Sequence, residues 1–275
     1  MNNIPKISVI MGIYNCAETL EDAVNSILEQ TETDWELIMC DDGSTDNTYE
    51  VAEKYVRKYP DKIMLIRNEK NCGLNFTLNR CLEKATGKYI ARMDGDDLSL
   101  PERFQKEAEF LDEHPEYAIV STPMIYFDES GEWGQGSAIE IPQIKDFVFH
   151  APFHCHAPCM IKREAFLSVK GYTVDKRLLR YEDCNLWYKL YSAGYRGYNL
   201  QEPLYKMRDD RNAYSRRSKL ARMRAVYVQY TGFQMIKMPL KYYPFLIVEF
   251  IKSLLIIVMP EKVYMMMHKR KQQGK

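Results

Sequence analysis

The chain has 275 residues, 46% hydrophobic, 12% aromatic and 28% charged, which is enough apolar material for a large core and excludes a peptide module or wholesale disorder. Lysine plus arginine equals aspartate plus glutamate at 38 each, so the net field gives no reason to expect nucleic acid as a partner. Seven cysteines, an odd count, read as reduced thiols, and the stretch before Tyr14 lacks a small-residue cleavage site, so no secretory signal is predicted and a cytoplasmic protein is expected.

Ile7 to Ile13 is a β-branched run that predicts a strand, and Leu20, Ala23, Val24, Ile27 and Leu28 follow at helical spacing. Trp35 to Cys40 predicts a second strand, ended by Asp41-Asp42-Gly43-Ser44, and Val51, Ala52, Tyr55 and Val56 mark a helix stopped near Pro60. A strand from Ile63 to Ile66, a helix from Leu74 to Ala85 closed by Gly87, and a strand from Lys88 to Met93 continue the alternation. Strand and helix exchanging about every 10 to 15 residues imply βαβ crossovers, hence an α/β fold with a mainly parallel sheet and helices on both faces. Ligands of such sheets bind beyond the carboxyl ends of the strands. Tyr14-Asn15, Asp41-Asp42-Gly43-Ser44 and Asp94-Gly95-Asp96-Asp97 fall at those ends, and they are expected to converge on one crevice.

From Pro101 the alternation loosens. Glu102 to Glu113 predicts a helix with the proline at its first position, and Ala118 to Thr122 a strand. Three glycines between Gly131 and Gly136 predict a turn or mobile loop. Arg180 to Ser192 returns to helical spacing, with Leu186, Trp187, Leu190 and Tyr191 on the apolar side. Between Lys206 and Arg224 eight basic residues face two acidic ones, and from Phe245 to Met259 only Glu249, Lys252 and Ser253 interrupt apolar side chains. Fifteen helical residues span about 22 Å, short of a ~30 Å hydrocarbon core. This segment, flanked again by Lys269 to Lys271, is expected to lie on a membrane surface, form a homodimer, or cover its own catalytic domain. The chain thus divides into residues 1–100, 101–210 and a helical extension, 211–275.

Asp94-Gly95-Asp96-Asp97 puts three carboxylates in four residues after a strand, a repulsive arrangement that a hard divalent cation, Mg²⁺ or Mn²⁺, would offset while sharing a substrate diphosphate. The plainer alternative is an acidic turn capping the next helix. A carboxylate from Asp41-Asp42 could accept hydrogen bonds from a base imide or a ribose hydroxyl, while Ser44 or Asp46 could cap the following helix. Neither a dinucleotide fingerprint nor a P-loop is present. Tyr181-Glu182-Asp183 opens a helix, where the dipole favours an ionised carboxylate, either a general base or simply a stabilising acid. His150, His154, Cys155, His156 and Cys159 suggest zinc, but adjacent residues of an extended segment point to opposite faces and no second ligand pair lies at zinc-finger spacing. One of these histidines, His156 best placed, is instead expected on the acceptor side together with Trp187.

Ser8-Val9-Ile10-Met11 through Tyr14-Asn15, Ser26-Ile27-Leu28-Glu29-Gln30-Thr31, Asp41-Asp42-Gly43-Ser44-Thr45-Asp46, Asn71-Cys72-Gly73, Ala85-Thr86-Gly87-Lys88-Tyr89-Ile90 and Asp94-Gly95-Asp96-Asp97 together resemble family 2 glycosyltransferases of the GT-A fold, in order and spacing, over residues 5 to about 210. The resemblance implies inverting, metal-dependent transfer of a hexosyl or N-acetylhexosaminyl group from a nucleotide diphosphate sugar, usually of uridine, to a glycan or lipid-linked acceptor in cell-surface polysaccharide synthesis. It assigns Asp42 to the nucleobase, Tyr14 to packing beside it, and Asn71, Arg92, Asp94 and Gly95 to the donor. Asp96, with Asp94, matches the metal ligands, and Asp183, beside Glu182, the catalytic base. Arg208 lies in a segment, Leu204 to Arg208, that closes the site near the diphosphate. Many relatives carry a metal-binding histidine shortly after this arginine, where this chain has Asp209-Asp210-Arg211. A sugar nucleotidyltransferase would need a glycine-rich basic loop after the first strand, which Tyr14-Asn15-Cys16-Ala17 does not supply, and a sugar-nucleotide-binding protein without turnover is the other alternative.

Overall fold

Strand β1 (Ile7–Ile13) sends Val9 and Met11 to one face and Ile10 to the other, all fully buried, so helices must cover both sides. The computed structural model describes residues 4–149, 153–209 and 221–259. After β1 come α1 (Leu20–Leu28), β2 (Trp35–Asp41), α2 (Thr48–Lys58), β3 (Ile63–Arg67), α3 (Leu74–Lys84) and β4 (Tyr89–Asp94). Strand β1 pairs in parallel with β2 and β4, and β3 extends the sheet beyond β2. The alternation expected from the sequence is present in full.

The rest of the chain adds β5 (Leu98–Ser99), α4 (Arg103–Glu113), β6 (Ile119–Ser121), β7 (Met124–Asp128), β8 (Gly131–Gln135), α5 (Asp146–Phe149), β9 (Met160–Lys162), α6 (Arg163–Ser168), α7 (Glu182–Ser192), β10 (Gly197–Asn199), β11 (Tyr205–Arg208), α8 (Ala221–Met235) and α9 (Tyr243–Val258). The central sheet runs β10-β6-β9-β4-β1-β2-β3, with β9 antiparallel to both neighbours, so strands from either side of residue 100 share it. Helices α1, α2 and α4 pack on the Val9, Met11, Leu37 and Met39 face, while α3, α6 and α7 pack on the Ile10 and Ile38 face. A second sheet, β5-β11-β7-β8, stands beside the carboxyl end of β4.

Three expectations need correction. Gly131–Gln135 is not a loop but the edge strand β8, antiparallel to β7. Gly131 takes the turn at φ 109°, and a Cβ on Gly136 would stand 3.0 Å from the Tyr126 hydroxyl and crowd it. Pro101 precedes α4, whose cap is Glu102, and α7 starts at Glu182, because Arg180 has a left-handed φ of 67°. The segment from Phe245 is helix α9, and among the described residues no helix is long and apolar enough to cross a membrane. His150, Asp210, Arg211, most of the basic collar and Lys269 to Lys271 lie outside the described residues.

One buried ion pair ties α4 to the strand that carries the acidic cluster. Arg103, with no exposed surface, meets Glu107 Oε2 at 3.1 Å and donates from Nη2 to the Arg92 carbonyl at 2.9 Å. Burial pushes the Glu107 carboxyl upward, and Arg103 opposes that shift. Replacing Arg103 with Met strands Glu107 without its partner. Urea denaturation should show a loss of about 3 to 5 kcal/mol, much of it restored when Glu107→Leu is added.

Candidate active site

Hydrogen bonds between loops bring the polar strand ends together. The Asn15 N–H donates to Ser44 Oγ at 3.0 Å, and Asn15 Oδ1 accepts from the Thr45 N–H at 2.9 Å. The Cys16 N–H donates to Thr48 Oγ1 at 2.8 Å, and Asp46 takes N–H groups from Ala17 and Thr48, although the residue that caps α2 is Asn47 and not Ser44 or Asp46. Thr19 Oγ1 donates to the Gly95 carbonyl at 2.9 Å. A Cβ on Gly95 would sit 2.9 Å from Cys16 Sγ, so the turn after β4 can press against the loop after β1 only as glycine. Tyr14 stands exposed beside this junction.

Asp42 is buried, and its carboxylate organises the loop opposite. Its Oδ1 accepts from Asn68 Nδ2 at 2.7 Å and the Cys72 N–H at 2.8 Å, and its Oδ2 accepts from the Gly73 N–H at 2.9 Å. A carboxylate has about four acceptor positions, so Oδ2 keeps capacity for one more donor. Asn71 lies exposed on the loop these bonds hold. Gly43 has φ 72°, and a Cβ there would stand 2.8 Å from the backbone of Lys70. Asn68, itself held by Arg80 Nη1 at 2.6 Å, carries no motif and was not legible as part of the site.

At the end of β4, single carboxylate oxygens of Asp94, Asp96 and Asp97 lie within 4.8 Å of one another, the only such group of possible ligands among the described residues. Arg92 pairs with Asp94, and the Asp94 N–H donates to the Tyr205 hydroxyl at 3.2 Å. The Arg208 N–H donates to Asp97 Oδ1 at 2.7 Å, its Nε donates to the Asp96 carbonyl at 3.0 Å, and its guanidinium lies over the Phe127 ring. Burial, then repulsion from Asp94, raises the Asp96 carboxyl, and burial with both neighbours raises Asp97 well above the usual range. Three hard oxygen donors that resist ionising together are a fit for a divalent cation. Asp94 and Asp96 would hold it, while Asp97, bonded to the Arg208 backbone, braces them.

Arg92 is the hub between this cluster and the start of α7. It is buried, and although burial alone would lower its affinity for a proton, Asp94 and the ring hydroxyls around it hold it firmly charged. Its charge acts on Asp183, Glu182 and His156. Burial raises both carboxyls of the Glu182-Asp183 pair, opposed at Asp183 by the Cys184 N–H, 2.7 Å from Oδ1, and by Arg92. His156 Nε2 lies 2.7 Å from the Tyr172 hydroxyl, and burial together with Arg92 holds the ring neutral. Tyr172, unsignalled in the sequence, is fixed by two backbone hydrogen bonds to Asn79.

Trp187 does not face an acceptor. It has no exposed surface, and its ring lies 6.0 Å from that of His156, so it supports the histidine from within the core. The helical apolar spacing that placed it on α7 is the reason it points inward. His154 turns away from His156 to Asn199 and Tyr191, and among the described residues the histidines and cysteines of this segment do not gather their ligand atoms into one group. Asp42→Asn would keep one acceptor oxygen and set an amide donor either against the Gly73 N–H or against the Cys72 N–H and Asn68. It should cost about 1.5 to 3 kcal/mol in urea denaturation.

Comparison with known proteins gives the family and the fold. The family model "Glycosyl transferase family 2" matches residues 8–169. EpsE of Bacillus subtilis (strain 168), a glycosyltransferase by assignment, is 43% identical over 271 residues, 98% of this chain and 96% of that protein. The amylovoran biosynthesis glycosyltransferase AmsE of Erwinia amylovora is 32% identical, covering 73% of this chain and 75% of its own. Among solved structures, S. aureus TarS 1–349 in complex with UDP superposes with a TM-score of 0.62 at 21% identity, over 84% of this chain and 69% of that one. The mannosyltransferase PcManGT of Pyrobaculum calidifontis, in complex with GDP-Man and Mn²⁺, gives 0.63 at 21% identity, over 90% and 69%.

Proposed function

The chain belongs to glycosyl transferase family 2, and on that premise we propose that it transfers a hexosyl or N-acetylhexosaminyl group, with inversion, from a UDP-sugar to a hydroxyl of a glycan or lipid-linked glycan in cell-surface polysaccharide synthesis. The observation that carries this reading is the buried Arg92, whose charge reaches both the Asp94 carboxylate and the Glu182-Asp183 pair. The UDP and GDP-Man complexes of the solved relatives support a nucleotide-sugar donor, and the amylovoran role of AmsE supports a polysaccharide product.

Asp42 and Tyr14 bind the nucleoside, with Asn71 on the loop that Asp42 holds. Gly95, Asp94 and Arg92 form the floor beneath the sugar diphosphate, and Arg208 closes it. When bound, Mn²⁺ or Mg²⁺ supplies positive charge against the diphosphate oxygens. At the other end Asp183 accepts the proton of the acceptor hydroxyl as that oxygen bonds to the anomeric carbon and the bond to the diphosphate breaks. Glu182 stands beside it, and neutral His156, hydrogen-bonded to Tyr172, lines the acceptor side. The enzyme works in the cytoplasm, at the cytosolic face of the membrane where its acceptor is lipid-linked. A homodimer through α9 is the alternative use of that helix.

UDP-sugars with Mn²⁺ should raise the melting temperature, and Asp183→Asn should lower transfer by about 10² to 10⁴-fold while keeping that protection. Because burial raises the Asp183 carboxyl, the base is lost at a higher pH than for a free aspartate. The acid limb of the rate profile should therefore fall above the ordinary value of about 3.9. Transfer at the wild-type rate by Asp183→Asn would remove the assigned base, and protection without any transfer would leave a binding protein.

A further inference from the structure

Helix α9 turns an apolar stripe to solvent. Ile247, Phe250, Ile251, Leu254, Leu255 and Val258 recur at i, i+3, i+4, i+7, i+8 and i+11 and are all exposed, Val258 at 75% and Ile247 at 62%. The edge toward α8 is narrow, with only Leu246 and Ser253 buried on the helix. Its two charged residues, Glu249 and Lys252, pair with each other at 2.7 Å and leave the stripe uninterrupted. A continuous apolar surface of this kind is uncommon on a soluble monomer and marks contact with another phase or molecule.

The charge distribution says which. From Lys206 onward the chain holds 16 of its 38 basic residues and only 4 of its 38 acidic ones. Net neutrality therefore conceals a strongly positive C-terminal part and an equally negative remainder. Two copies joined through α9 would bring the positive parts together, a like-charge arrangement that opposes association. An anionic lipid surface answers both features, since it accepts apolar side chains at the headgroup boundary and attracts lysine and arginine beside them.

We propose that α9 lies in the plane of an anionic bilayer, its stripe seated at the headgroup boundary and the basic residues of the C-terminal part holding it there. Helix α9 packs on α8, and α8 packs on α7, the helix that opens with Glu182 and Asp183. The proposed lipid contact is thus connected through α8 to the helix that carries the Glu182-Asp183 pair. The inference does not depend on the identity of the donor or on turnover.

The test is co-sedimentation of the full chain with vesicles of phosphatidylcholine alone or mixed with phosphatidylglycerol, at low and high salt. Binding is expected to the mixed vesicles at low salt and to fall at least about tenfold on phosphatidylcholine alone or at high salt. The double variant Ile251→Glu, Leu255→Glu should lose binding by a similar factor with its melting temperature and UDP binding unchanged. If that variant fails to fold, the lipid and salt dependence of the wild type decides. Failure to sediment with either vesicle, equal binding by the folded variant, or a wild-type dimer that the variant dissolves would each overturn the proposal, the last by giving the stripe to a second copy. Failure of donor binding with vesicle binding intact would count against the proposed reaction alone.

Discussion

Three carboxylates crowded at the end of one strand repel one another, and much of the structure serves to hold them there. With oxygens of Asp94, Asp96 and Asp97 within 4.8 Å, two full charges at an effective dielectric of about 20 would repel by roughly 3 kcal/mol. Arg92 offsets Asp94 from below, Tyr205 accepts from the Asp94 backbone, and the Arg208 backbone anchors Asp97. Arg103, buried on α4, fixes the Arg92 carbonyl and so the strand itself. These bonds brace the cluster within the protein itself, and in the proposed reaction such preorganisation favours stabilisation of a charged leaving group.

The same cation links the two halves of the site. Arg92 opposes the effect of burial on Asp183 and adds to the burial that keeps His156 neutral, so the sides proposed for donor and acceptor share one source of field. Asp42 has a corresponding mechanical role on the nucleoside side. By accepting from Asn68, Cys72 and Gly73 it fixes the loop that carries Asn71. On the proposed assignment, Asp42 would bind the nucleoside through its one remaining acceptor position while the others hold the pocket wall, which couples recognition to local stability.

The parallel half of the fold was legible because strands of five to seven residues alternate with helices of nine to eleven, long enough for both periods to register. The dense acidic motif was legible because its charge has few other uses after a buried strand. The short strands β5, β6, β9, β10 and β11, with two to four residues each, were mostly hidden because so few residues carry no period. Glycines at 131, 134 and 136 suggested a loop, whereas Gly131 makes the turn into the edge strand and Gly136 passes close to the Tyr126 hydroxyl at its end. Trp187 was misplaced because an apolar residue at helical spacing belongs to the core face by the same rule that found the helix. Asn68, Tyr172 and Arg103 join the site only through tertiary contacts, which spacing does not encode.

The central claim is that Asp94 and Asp96 hold a divalent cation jointly with a diphosphate. Titration calorimetry of Mn²⁺ into the protein, with and without UDP and repeated in Asp96→Asn, tests it most directly. The account predicts substantial heat only when UDP is present, abolished by the substitution. Equal heat without nucleotide, or undiminished heat in Asp96→Asn, would contradict it.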